Sequence, residues 1–478
     1  MNYRMTFYVL GLLLVFEGVF MGVPAVTALC YGESQFWLFF GLGLFCLAAG
    51  GLVSLLKPKN RTIYAREGFV IVALSWILMS LLGCLPFVIS GCIPGFVDAL
   101  FETVSGFTTT GASILTKVEA LPNCMLMWRS FTHWVGGMGV LVFMMAVLPL
   151  SGGSNMYLMK AESPGPSVSK LVPRVRNTAL LLYVIYIVLT VIEFLFLVFG
   201  EMTVFEALNI AFATAGTGGF ALSNAGMGVY SAYSQIVITV FMILFGVNFT
   251  SYFLILHGKL KEAFNTEIRV FLMLIAGAIA VITFDVHGMF QTLGEAVRHV
   301  SFTVGSLISS TGFSTTDFNL WPTLSKTILV LLMFVGACAG STGGGIKVSR
   351  VLILGKSMRN ELRVLLHPRQ VRKVKLDGQQ IAPEVVRSIH AYLFCYILIY
   401  AVSMLVLALD GLDLTTNFTA VVATLNNIGP GLNAVGPTES FAVFSPLSKS
   451  VLIFDMLAGR LEIFPMILLF SPLTWKNQ

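Results

Sequence analysis

The sequence predicts an all-α polytopic membrane protein: four pseudosymmetric helix–re-entrant loop–helix units around one central pore, preceded by two extra N-terminal transmembrane helices. Three features carry that expectation. The chain of 478 residues is 56% hydrophobic and only 11% charged, with mean hydropathy +0.87, whereas soluble domains carry about 25% charged residues. Its basic and acidic residues occupy alternating segments. A short polar stretch, "SGFTTTGASIL" in its first form (Ser105 to Leu115), recurs four times between apolar runs.

A helix needs roughly 20 apolar residues to cross a bilayer, and runs of that kind recur along nearly the whole chain. The opening stretch, "MNYRMTFYVLGLLLVFEGVFMGVPAV", has one arginine and a long apolar run. It lacks a clear A-x-A cleavage site and further spans follow, so it reads as a retained helix and not a signal peptide. Residues 1–60 then hold two helices, near 5–30 and 35–56. The seven cysteines show no C-x-x-C spacing and read as small apolar fillers; Cys92 and Cys124 are expected on the same outer side, which leaves a disulfide between them open. The six histidines form no H-E-x-x-H or other paired-ligand pattern. No metalloenzyme signal and no nucleophile–base pair stands out, which argues against a membrane-embedded enzyme.

Of the 29 lysines and arginines, 23 fall in alternating segments: Arg4; the stretch 57–66; Lys160, Lys170, Arg174 and Arg176; Lys259, Lys261 and Arg269; Lys347 to Arg387; and Lys476. The intervening segments 91–122, 200–230, 284–323 and 410–445 are poor in basic residues. They hold Asp98, Glu102, Glu201, Glu206, Asp285, Asp317, Asp410 and Asp413. The positive-inside rule puts the basic set on the cytoplasmic side, so the acidic, Gly/Thr-rich segments are expected to enter from outside.

The polar stretch repeats as "TAGTGGFAL" (214–222), "SSTGFSTTD" (309–317) and "NNIGPGLN" (426–433). Aligned on Gly111, Gly219, Gly312 and Gly429, the copies lie 108, 93 and 117 residues apart, each with a small residue six positions upstream: Ser105, Ala213, Ser306 and Ala423. Internal repeats of this kind mark repeated architecture. The preceding stretches, such as "FVDALFETV", read as short helices reaching half-way into the membrane; after each glycine comes a full-length apolar run. The units are expected at 67–150, 177–257, 268–363 and 386–472. Non-helical backbone at membrane depth is tolerated only where it is buried in protein or lines a water-filled cavity. Four such loops entering from one side imply a shared axis to which they present carbonyls, as potassium filters do. The short helices would aim their negative C-terminal ends at a cation there.

The set "SGFTTTGAS", "GTGGF", "SSTGFSTTD", "NNIGPGLN", "CAGSTGGGIKVSR" and "GRLEIFP" closely resembles the Trk/Ktr/HKT superfamily of potassium transporters over essentially the whole chain. The length and the two extra N-terminal helices match its TrkH-type membrane subunit best. The resemblance implies a potassium-uptake subunit of the bacterial inner membrane, with the filter entrance facing outside. It implies homodimers with one pore per protomer, surrounding membrane lipid and a cytoplasmic ring of nucleotide-binding, TrkA-like regulatory subunits. K⁺ would be the transported ion; no bound organic cofactor and no nucleic acid is implied. Carbonyls of Gly111, Gly219, Gly312 and Gly429, and of Thr110, Gly218, Thr311 and Ile428 before them, would coordinate K⁺; Thr109, Thr217, Ser310 and Asn427 would line the path further in. In this superfamily a serine at the first filter glycine goes with sodium permeation, and Gly111 therefore favours K⁺. The rival readings are a sodium-permeating or Na⁺/K⁺-coupled member of the superfamily and a proton-coupled carrier using Glu17, Glu193 or Asp455.

The resemblance also makes Ala339, Gly340, Ser341, Thr342, Gly343, Gly344 and Gly345, with Lys347 beyond them, an intramembrane gate below the filter. Four glycines in these seven residues, each costing up to about 1 kcal/mol in a helix against alanine, break the third unit's last helix. A phosphate loop would need G-x-x-x-x-G-K-S/T after a strand; here Ile346 separates Gly345 from Lys347 and Val348 follows. Arg460 lies in an apolar helix, where an unpaired guanidinium costs at least about 2.5–3.5 kcal/mol. Glu462 is two residues on and does not face it on a helix, nor is Asp455 the expected partner; the free carbonyls of the glycine loop are. Arg460 would latch that loop. The basic linker 356–380 is the longest cytoplasmic segment, and no G-x-G-x-x-G follows a strand in this chain, so a nucleotide site is expected in a partner.

Overall fold

The computed structural model describes residues 2–56, 58, 63–139, 175–367 and 373–475. Lys57, Lys59, Arg61, Lys160, Lys170, Arg174, Arg369, Arg372 and Lys476, and the end of the first expected unit at 140–150, lie outside the described residues. Those described are predominantly helical. Six of their helices are long and apolar enough to cross a membrane, or seven counting one bent pair.

The first span, Tyr3–Tyr31, breaks only at Met21. There Pro24 lacks the N–H that would bond back to Phe20. It packs along Phe36–Ser54 backbone against backbone: a Cβ on Gly18 would lie 2.7 Å from the Gly43 carbonyl oxygen, and one on Gly11 3.0 Å from that of Gly50. Small residues are how helices approach closely where no hydrophobic effect drives them together.

Each unit opens with a long outer helix: Ala65–Gly83, Val175–Phe199, Thr266–Val286 and Pro383–Leu407. A short pore helix follows: Phe96–Phe107, Val204–Ala215, Leu293–Ile308 and Leu414–Leu425. At 12 to 16 residues these are only about 18–24 Å long. The starts of the last three are set by side-chain caps, Thr203 with Glu206, Thr292, and Asp413, which satisfy first-turn N–H groups.

The inner helices correct the expectation of a full-length apolar run after each glycine. They are Asn123–Gly137, Ala232–Phe245, Thr323–Val335 and Pro446–Arg460, 13 to 15 residues each, about 20–23 Å and short of a roughly 30 Å hydrocarbon core. All stop at matching places. After Gly246 the chain turns by 92° into Phe249–Leu256. At Gly336, φ 71°, it leaves the helix for a loop and resumes as Val348–Leu366. After Arg460, Glu462 and Ile463 take φ of 60° and 67° before Phe464–Phe470; a β-branched residue with positive φ is a strained outlier.

The basic linker holds regular structure at both ends. Val348–Leu366 takes its first half, and Lys375–Leu376 pairs antiparallel with Gln379–Gln380 around Asp377-Gly378, both at positive φ, the conformation a two-residue I′ turn requires. Cys92 and Cys124 are both free thiols, so the disulfide left open by the sequence is not formed.

Candidate functional site

The four pore helices end in one and the same way. Thr109, Thr217, Ser310 and Asn427 take left-handed φ of 56°, 53°, 60° and 52°. The amide of the next residue donates back to the small residue singled out by the repeat: Thr110 to Ser105 at 2.9 Å, and Gly218 to Ala213, Thr311 to Ser306 and Ile428 to Ala423 at 2.8 Å each. The left-handed residues donate to Gly106, Thr214, Leu307 and Thr424. This is a Schellman cap made four times, with a non-glycine residue where glycine is usual. Gly111, Gly219, Gly312 and Gly429 follow at φ of 78°, 76°, 83° and 103°. Positive φ on alternate residues re-aims carbonyls that a plain extended strand would send to opposite sides.

These ends form a closed ring. A Cβ on Gly111 would fall on the carbonyl oxygen of Gly218, one on Gly219 on that of Thr311, and one on Gly312 on that of Ile428; one on Gly429 would sit 2.9 Å from that of Thr110. Each unit thus abuts the next and the fourth returns to the first. All four glycines line one cavity of about 220 Å³. The side chains next to them turn away to partners of their own. Thr110 Oγ1 meets Thr108 Oγ1 at 2.8 Å and accepts from Asn427 Nδ2 at 2.9 Å, and Thr311 Oγ1 meets Ser309 Oγ at 2.7 Å.

The first junction has a polar frame that the sequence reading missed. Glu102, expected as an outer acid, is buried and pairs with buried Arg129 at 2.8 Å. Its carboxylate also accepts from Ser113 Oγ (3.0 Å) and Ile114 N (3.0 Å) behind the first glycine segment. Arg129 reaches the second segment, donating to the Ala221 carbonyl at 3.3 Å and lying 4.0 Å from the Phe220 ring centre. His133 Nδ1 donates to the Gly106 carbonyl at 2.7 Å and Nε2 accepts from Phe220 N at 3.3 Å, which fixes its tautomer. Lys326 and Lys449, each ten residues before a glycine as Arg129 is before Gly139, act differently: Lys326 donates to the Asn319 carbonyl at 3.1 Å, and Lys449 pairs with Asp98 at 2.6 Å.

Residues 339–345 lie directly under the ring. A Cβ on Gly343 would come 2.6 Å from the Ser309 carbonyl, and one on Gly344 3.2 Å from Asn427 Cβ. Gly345 N donates to the Asn426 carbonyl at 3.1 Å, Gly344 N to Ser310 Oγ, and Thr342 Oγ1 to the Phe245 carbonyl at 3.2 Å. The Gly340 carbonyl accepts from Phe249 N at 3.0 Å, and Ser341 Oγ donates to Cys338 at 2.6 Å. The loop is stitched to three units in this way. Lys347 is buried and donates to the Gly343 carbonyl. Arg460 is the last residue of its helix and not inside it. It donates to the Thr342 carbonyl at 2.9 Å, to the Gly137 carbonyl at 2.6 Å and to that of Gly136. Glu462 pairs instead with Arg350, which also lies 4.1 Å from the Tyr392 ring centre. Asp455 accepts from Ser403 at 2.8 Å. Glu17 and Glu193 are fully buried, and neither forms an ion pair with a described residue. Among the described residues no group of His, Cys, Asp and Glu could hold a metal.

A family model described as "Cation transport protein", TrkH, matches residues 38–476. The chain is 35% identical to the Trk system potassium uptake protein TrkH of Escherichia coli (strain K12), covering 100% of both. It is 35% identical to TrkG of the same organism over 99% of both. Among solved structures, the potassium transporter TrkH from Vibrio parahaemolyticus superposes with TM-score 0.89 at 33% identity, over 100% of each chain.

Proposed function

The chain belongs to the TrkH family of cation transport proteins, and from that premise we propose that it takes up potassium across the bacterial inner membrane through the ring of four glycine segments. The observation that carries this reading is the closed ring itself: four Schellman-capped helix ends with alternating positive φ, each glycine against the preceding carbonyl of its neighbour. Carbonyls of Thr110, Gly111, Gly218, Gly219, Thr311, Gly312, Ile428 and Gly429 replace the hydration shell of K⁺, in the manner of carbonyl filters. The four helix C-termini add negative potential. Backbone carbonyls held by rigid caps pay little reorganisation when the ion arrives. The names of the relatives, all potassium uptake proteins of Trk systems, support K⁺ as the ion.

In the same reading the loop 339–345 is the gate and Arg460 its latch. The cytoplasmic side docks nucleotide-binding regulatory subunits, the protein works as a homodimer and the 220 Å³ cavity is the outer mouth. Expression in a bacterium lacking potassium uptake, with a regulatory partner supplied, is expected to restore growth at low K⁺. Correct membrane insertion with no growth and no ⁸⁶Rb⁺ uptake would sink the assignment. A proton-coupled mechanism is favoured only by buried Glu17, Glu193 and Asp455; it requires uptake that collapses with the proton gradient or when one of these acids is neutralised.

A further inference from the structure

Arg460 holds the loop from the ring side, and the structure contains a second hold from the opposite end that the sequence did not disclose. Glu267 stands in the first turn of Thr266–Val286 and is 5% exposed. Its Oε1 accepts from Ala339 N at 2.7 Å and from Ser349 N at 3.1 Å. Ala339 is the first residue of the loop. Ser349 lies in the first turn of Val348–Leu366, whose N-cap, Lys347, sits at φ 81° and provides no side-chain cap. Orphan N–H groups at a helix start need an acceptor, and a negative one suits the positive end of the helix dipole. Here the cap comes from another helix, and the same oxygen holds the loop's entry. The two flanks of the loop are therefore tied to one atom.

That atom is itself connected to the cytoplasmic hairpin. Thr266 N, one residue before Glu267, donates to Asp377 Oδ1 at 2.8 Å, and Thr266 Oγ1 donates to the same oxygen. Asp377 is the first turn residue of the hairpin 375–380. A cavity of about 880 Å³ lies between, lined on one side by Ala339, Ser349 and Glu267 and on the other by Asp377, Gln379 and Gln380. A released loop flank has room to move there.

We infer that Glu267 is a positioning residue of the gate: its carboxylate clasps both flanks of loop 339–345 in the closed position, and the hairpin at Asp377 is the handle through which a cytoplasmic partner loosens that clasp. The inference rests on the loop being the gate. Loop opening then requires Ala339 and Ser349 to leave Glu267 together, while the filter ring stays as it is.

The test uses the full chain in proteoliposomes without any regulatory partner. Glu267→Ala is expected to raise basal ⁸⁶Rb⁺ flux within the roughly 5–150-fold range typical of coupling between sites, with the Rb⁺/Na⁺ ratio unchanged. Glu267→Gln keeps the size and one acceptor oxygen and is expected to give a smaller rise; it serves where the alanine variant does not fold. Asp377→Asn, on the exposed hairpin, is expected to give a few-fold rise. In a chain lacking Ala339–Gly345, Glu267→Gln is expected to add nothing. If that deletion alone leaves flux at the wild-type level, the gate reading fails. If the deletion opens the pore but both Glu267 variants stay closed, or if they add further flux to the deletion, the clasp is overturned. An unchanged flux in Asp377→Asn overturns the handle.

Discussion

The ring of four glycine segments and the loop beneath it touch, with Gly343 and Gly344 against Ser309, Ser310 and Asn427, yet they are built in different ways. The ring is made four times from the same backbone: one left-handed residue, one carbonyl-bearing residue and one glycine, whatever the side chains are. Among the described residues the loop is found in the third unit, and side chains beyond it help to hold it: Arg460 on Thr342, Lys347 on Gly343 and Glu267 on Ala339. Repetition suits a task that is the same on every side of an ion. A single asymmetric element suits a task that must have two states, because the few bonds around it can be broken while the four backbone caps of the ring stay intact. Selectivity should therefore respond to backbone changes in any unit, and openness to side-chain changes around one.

The strongest way to break this division is at a filter glycine. Gly111→Ser places a Cβ on the Gly218 carbonyl oxygen at a residue with φ 78°. Strain at such a position costs about 1–3 kcal/mol, and the obstructing atom is backbone that has to shift with its neighbours. The expected outcome is a fall in K⁺ over Na⁺ preference of up to roughly 100-fold, since 1.4 kcal/mol is a factor of ten. Reversal potentials in bilayers under K⁺ and Na⁺ check it; an unchanged ratio would mean that Gly111 does not face the ion. Basal openness is expected to stay as in the wild type.

The loop side of the comparison is sharpened by Arg460. Arg460→Ala and deletion of Ala339–Gly345 should each raise partner-free ⁸⁶Rb⁺ flux, bounded at roughly 5–150-fold by a coupling of 1–3 kcal/mol. Together they should be non-additive because both remove one barrier. Arg460→Lys keeps the charge but loses the planar fork that reaches the Thr342 and Gly137 carbonyls at once. Partial opening is expected, and additive flux would show that Arg460 acts somewhere other than the loop.

The contrast also explains how much could be read from the sequence. Helical class and the four capped glycine segments were legible because the ring is local. Its Schellman caps run from Ser105, Ala213, Ser306 and Ala423 to residues five positions on, so every copy carries its signal within one short window. The frame and the clasps were not legible. Glu102 finds Arg129 27 residues away, Arg350 finds Glu462 112 away, and Glu267 finds Ala339 72 away. Each looked like an ordinary charge beside an apolar run. The early stops of the inner helices had a visible sign in Gly139, Gly246, Gly336 and Gly459, and the break after Gly336 was legible in the glycines of 339–345. The Asp377-Gly378 pair was a hairpin signal masked by the surrounding basic charge.

The smallest expected effect is at the left-handed residues, and it separates backbone from side chain within the ring. Thr217 holds φ 53° despite a branched Cβ, a conformation in which β-branched residues are outliers. The third unit uses Ser310 in the same place at φ 60°, so Thr217→Ser copies a geometry the molecule already contains. It removes one methyl and keeps the hydroxyl, which donates to the Gly216 carbonyl at 2.6 Å. Relief of the branched side chain is expected to raise thermal stability slightly, by a fraction of the roughly 1–3 kcal/mol that such strain can hold. Because the Gly218 carbonyl and amide keep their places, the Rb⁺/Na⁺ ratio should move by less than about twofold, which is under 0.5 kcal/mol. Unfolding in detergent and reversal potentials on the same preparation measure both. A large loss of selectivity from so slight a change would mean that the Thr217 side chain contacts the ion, and the account of the ring as a backbone device would have to give way to one in which the four units select by different side chains.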